Sequence, residues 1–142
     1  MYKRQGKALR DKRILGRWKS DKRKTMGYLK KHCKISKKQE QLFDAFFGKM
    51  SMRITEKYIY THMPKIKFKN GRKIRVIDSS ENKSEYKVIG KDEEKVAIMS
   101  KNTFDEDQIY IFHVEEKYIW VNVSDSLPIN IDASWREYFK AI

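Results

Sequence analysis

Three histidines, one cysteine and two short acidic runs are the side chains of this chain best suited to metal binding or bond-breaking chemistry. Their spacing argues against both. His32, His62 and His113 lie far apart and form no His-Glu-x-x-His pattern, which would set two imidazoles on one helical face. His32 and Cys33 are neighbours on a predicted helix, so they project about 100° apart and do not readily share one ion. The lysines at 30, 31 and 34 would favour a Cys33 thiolate. Yet Cys33 follows Met26 and Leu29 at helical spacing, which reads as a buried stripe. Asp92-Glu93-Glu94 and Asp105-Glu106-Asp107 fall in predicted turns without the glycine and spacing of a calcium loop. No Gly-x-Gly occurs, so no glycine-rich phosphate loop is present. The expectation is a protein that binds and does not catalyse, with neither metal nor cofactor.

Two sets of residues are suited to binding. Tyr58, Tyr60 and His62 alternate along one predicted strand and Tyr118 and Trp120 along another, with His113 on the strand before it. Each combines an apolar ring with a polar tip, the combination a small-molecule pocket uses to fix orientation. They are the candidate lining of an interior, and strand register decides which face points inward. The second set is basic: Lys22, Arg23, Lys30, Lys31, Lys34, Lys37 and Lys38 occupy the polar faces of two predicted helices. Residues 1–40 hold 16 Lys or Arg against 3 acids, whereas the other 102 residues hold 17 against 16, so nearly all of the +14 net charge lies in the first third. Such an arm meets nucleic acid, an anionic membrane surface or an acidic partner, or serves only as a solvated face. No helix-turn-helix, zinc-finger or RNA-recognition signature accompanies it.

The elements that position these residues follow from periodicity. Residues 14–20 read as a first strand. Helices are expected over about 21–34 and 36–47, the second opened by Ser36 with Gln39 in capping-box spacing and closed by Gly48. Leu42, Phe43, Phe46 and Phe47 form its apolar stripe. From Lys49 the pattern alternates, with Met50, Met52 and Ile54 on one face. Further runs follow at 58–63, 72–77, 85–89, 95–99, 108–114 and 118–123. Between them come turn signals at Asn70-Gly71, Gly90-Lys91-Asp92 and Glu115-Glu116. Seven or eight short antiparallel strands without intervening helices remove their edges by closing into an up-and-down barrel. The outer faces of the last strands are expected to pack beneath the helices.

Within residues 14–21, Gly16-Arg17-Trp18 resembles the Gly-x-Trp opening of lipocalins and their bacterial lipocalin-like relatives in the calycin superfamily. The resemblance implies a barrel whose closed end holds Trp18, with Arg136 packed across the indole in a cation–π contact. It also implies a small apolar or amphipathic ligand, because an eight-stranded barrel holds one such molecule or is filled by its own side chains. The chain departs from the pattern in placing two helices where the large first loop belongs, and in lacking a Thr-Asp-Tyr second signature.

The fold class expected is therefore mainly β, a 7–8-stranded barrel with two helices inserted after its first strand. The domain reading is a basic segment over 1–13 followed by one domain over 14–142. Met1-Tyr2-Lys3-Arg4-Gln5 matches the translation of a sequencing-adapter end and is set aside from the fold. A cytoplasmic address follows if the start is native, and a signal peptide lost upstream would change it. Charges interrupt every apolar run, so no transmembrane helix is expected, and the protein reads as a monomer. A single cysteine rules out an intrachain disulfide. Asn82-Lys83-Ser84 and Asn122-Val123-Ser124 match the glycosylation sequon and matter only in a glycosylating compartment.

Overall fold

The computed structural model describes residues 11–101, 104–122 and 135–142 of the chain. Met1–Gln5 and most of the basic first segment lie outside the described residues, as does Val123. The barrel strands are β1 (Gly16–Ser20), β2 (Ser51–Ile54), β3 (Tyr58–Met63), β6 (Ser80–Lys91), β7 (Lys95–Lys101), β8 (Asp107–Val114), β9 (Tyr118–Asn122) and β10 (Arg136–Ala141). They close in the order β1-β10-β9-β8-β7-β6-β3-β2, with every pair antiparallel. The fold is mainly β, with both helices placed between β1 and β2.

Three details differ from the sequence reading. The run at 72–77 is not a barrel stave: β4 (Ile66–Asn70) and β5 (Lys73–Ile77) pair only with each other and form a hairpin between β3 and β6. Every residue of β5 is exposed, so its apolar alternation has no interior to report. The missing stave is β10, whose Arg136–Ala141 sequence closes the barrel against β1 and β9. Gly90 does not end its strand. A bulge between Val88 and Gly90 carries β6 on to Lys91.

The two ends of the barrel differ. At one end β2–β3, β6–β7 and β8–β9 are joined by three-residue turns, and Glu115 N–H donates to the Tyr118 carbonyl at 2.9 Å. A 3-10 turn at Lys12–Ile14 plugs this end. Ile14 is fully buried in the core, and its carbonyl accepts from Trp18 Nε1 at 2.9 Å. Arg13 clamps the plug, donating to both Asp11 and the Glu93 carbonyl. At the other end, the mouth, the β1–β2 connection carries the helices and the β3–β6 connection the β4–β5 hairpin.

The helices form where capping and stripe agree. For α1 (Lys22–His32), the Asp21 carboxylate accepts from Lys24 N–H at 3.0 Å. For α2 (Lys37–Phe46), Ser36 and Gln39 complete the expected capping box, and Gly48 takes a left-handed φ of 87° just beyond the helix. Met26, Leu29, Phe43 and Phe47 bury together around Trp135, with the Phe43 and Trp135 rings edge to face at 5.0 Å. α1 lies over β10, where Thr25 Oγ1 accepts from Tyr138 N–H at 2.9 Å, and α2 leans on β4 through Phe46 and Phe68. The helices therefore cover β10 and leave the outer face of β8 bare: Ile109 and Ile111 are exposed.

Candidate functional site

Ladder partners in an antiparallel sheet share a face, so the register sorts every barrel residue into inward or outward. Trp18, Met52, Thr61 and Asn82 form one inward row; Gly16, Ile54, Ile59 and Ser84 form another. Towards the closed end the inward positions are Trp18, Ile54, Val88, Val96, Ile98, Phe112, Ile119 and Phe139, all buried in one cluster. That half is a packed core. Tyr86 joins it by donating its hydroxyl to the Thr55 carbonyl at 2.5 Å, and burial pushes its pKa up.

Towards the mouth the inward positions change character to Ser20, Thr61, Met63, Asn82, Ser84, Ser100, Gln108, Tyr110, Val121 and Glu137. Several keep solvent contact although they point into a closed barrel: Asn82 and Gln108 at the rim, and Ser84, Tyr110 and Val121 below it. These positions are less buried than the inward positions of the closed end. The polar groups there are ordered by one another. Tyr110 donates to Gln108 Oε1 at 2.5 Å, and Ser100 donates to the Glu85 carbonyl at 2.9 Å.

Glu137 is the one charged side chain on this inward face at the mouth among the described residues. Ser20 Oγ donates to its carboxylate at 2.7 Å and accepts from Gly48 N–H at 2.9 Å, tying β10 and β1 to the end of α2. The residue keeps some solvent contact, but its carboxyl is enclosed, and loss of hydration pushes its pKa up to about 7 against the Ser20 hydrogen bond. Glu137 was not among the expected residues. Its signal was its place in the alternating run 136–141, where Glu137 and Phe139 share a face.

The residues expected to line the interior fall on the other face. Tyr58, Tyr60 and His62 point outward; their inward neighbours are Ile59, Thr61 and Met63. Tyr118, Trp120 and His113 also point outward, opposite Ile119, Val121, Phe112 and Val114. The latter group builds an outer stack. His113 lies flat on Trp120 with centroids 3.5 Å apart, Arg136 lies 3.7 Å over the same indole, and Lys24 of α1 lies 4.6 Å over Tyr118. Burial and the nearby Lys95 and Arg136 charges hold the His113 pKa below its usual value.

The expected contact of Arg136 with Trp18 is therefore not made. Trp18 pairs with Ala141, five residues from Arg136 along β10, or about 17 Å, and an odd separation puts the two on opposite faces. Gly16 and Trp18 do stand on the first strand at the closed end. Of the basic helix residues, Lys22 and Lys30 are paired with Asp44 at 3.0 Å and Glu40 at 2.9 Å. Arg23, Lys31, Lys34, Lys37 and Lys38 face solvent. No described helix is long and apolar enough to cross a membrane.

Compared with protein-family models, curated proteins and solved structures, the chain has no match. The closed antiparallel barrel of eight strands defines its class.

Proposed function

We propose that the protein holds a small apolar or amphipathic molecule in the mouth half of the barrel and performs no reaction on it. One observation carries this reading: the inward side chains are packed solid and apolar at one end, and polar and less buried at the other. A pocket of this kind buries an apolar tail against Ile98, Val121 and Tyr110 and orients a polar head by Glu137, Gln108 and Ser84. The lipocalin-like affiliation belongs to the same proposal. It rests on the up-and-down topology and on Gly16 and Trp18 in the first strand, without the Arg136 contact.

Fluorescence titration with N-phenyl-1-naphthylamine tests it. Emission is expected to rise on binding and to fall when dodecanol displaces the probe. Ser84→Trp is the informative variant. In an open mouth half the indole occupies free space, so folding is retained and probe binding is lost. A filled interior would instead be overpacked, by roughly 1–3 kcal/mol, and the wild type would not bind the probe at all.

A further inference from the structure

The outer face of β1 carries two arrangements that the fold does not explain. Arg17 stands directly opposite Arg53 of β2, and Lys19 directly opposite Lys140 of β10. All four are exposed. Like charges facing each other across a ladder destabilise a sheet. Elsewhere this barrel avoids the arrangement: Lys101 faces Asp107 across β7–β8 with an ion pair of 3.1 Å. Among the described residues, Arg17, Lys19 and Lys140 meet no carboxylate at ion-pairing distance, so no described side chain relieves either repulsion.

The row continues beyond the arginines. Arg17, Arg53, Tyr60 and Lys83 are ladder partners across β1, β2, β3 and β6, a line of about 14 Å at the usual strand spacing. Arg53 lies 4.2 Å over the Tyr60 ring, and Lys83 lies 4.2 Å over Tyr58. Arg17, Arg53, Tyr60 and Lys83 line a surface groove of about 520 Å³ together with His62, Ile142 and the carboxylate-bearing Glu81.

We propose that this groove and the adjoining Lys19–Lys140 pair bind single-stranded nucleic acid. Phosphates neutralise the two repelling pairs, and a base stacks on the planar Arg53–Tyr60 unit. Rows of cations beside aromatic rings on a sheet face are the general means of holding single strands. An anionic membrane fits less well, because Ile142 is the exposed aliphatic side chain among the groove's lining residues, whereas Ile89, Ile109 and Ile111 lie on β6 and β8 and Ile74, Val76 and Ile77 on the β4–β5 hairpin. This site is separate from the basic faces of the helices.

The test is fluorescence anisotropy of a labelled oligouridine of about 12 nucleotides, the upper range of such sites. Binding is expected to weaken steeply with salt, and each of Arg17→Gln, Arg53→Gln and Lys140→Gln is expected to reduce the log–log salt slope by about 0.7. Arg17→Gln should also raise the thermal midpoint, since it removes one member of a repelling pair. A variant that weakened binding only by damaging the fold would lower it. The helix variant Lys31→Gln/Lys37→Gln/Lys38→Gln is expected to bind as wild type. Three results would each overturn the proposal: no binding at low salt, loss confined to the helix variant, or binding to phosphatidylglycerol vesicles but not to the oligonucleotide.

Discussion

Glu137 has its carboxyl inside the barrel because β10 alternates strictly: Phe139 must enter the core, and the residue two before it enters as well. Enclosure raises its folded pKa to about 7 from the ordinary 4.5, so the neutral acid is favoured in the folded chain. The resulting stabilisation is complete below pH 4.5 and is lost as pH rises through 7. Glu137→Gln is therefore expected to match wild type near pH 4 and to exceed it near pH 8, by up to about 3 kcal/mol, in urea unfolding at the two pH values. His113 acts in the opposite sense. Its lowered pKa means that the unfolded chain binds the proton more readily, so its contribution is lost as pH falls below the usual 6.5. His113→Phe should keep the stack on Trp120 and lose this acid-side decline, measured by thermal unfolding between pH 7 and 5. The aromatic candidates were legible in the sequence as a group, but their face was not. Tyr58, Tyr60 and His62 alternate with Ile59, Thr61 and Met63, and either set suits an interior. A shift of one residue exchanges them, and pairing with β2 and β6 is what decides.

At the scale of elements, the two helices were the clearest feature because their signals are local. Ser36 and Gln39 close a capping box within four residues, and Ser36→Ala is expected to cost about 1 kcal/mol by denaturant unfolding. Gly48 is constrained twice. Its φ of 87° is left-handed, and a Cβ there would meet the Lys22 Cβ at 2.7 Å, where α1 begins. Gly48→Ala should therefore destabilise more than the cap variant in the same assay. It should also loosen the Gly48–Ser20–Glu137 chain, lowering the Glu137 pKa as the carboxyl gains water. The β4–β5 hairpin and β10 were less legible. Arg72–Ile77 has the composition of a stave, but a two-stranded excursion has the same local pattern as two barrel strands, and only closure between β3 and β6 separates them. β10 was hidden by its short apolar content, since Arg136, Glu137 and Lys140 break the run that Tyr138 and Phe139 provide.

For the whole molecule, closure of the sheet sets the remaining properties. Short turns and the Ile14–Trp18 plug make one end a core, and the connections that hold the helices and the β4–β5 hairpin leave from the other end, where the inward side chains are polar. The barrel itself could be read from the count of antiparallel runs, because edges must be covered or paired. Its polarity could not, because the inward positions of the mouth half, Ser84 on β6, Tyr110 on β8 and Glu137 on β10, come together only across strands distant in sequence. The most direct test of a ligand-holding mouth half is a two-dimensional amide NMR titration with dodecanol. Shift changes are expected at Ser84, Ile98, Tyr110, Val121 and Glu137, with the Trp18 indole signal unmoved in its bond to Ile14. Spectra that do not change, or changes confined to outward residues such as Tyr60 and Trp120, would contradict it.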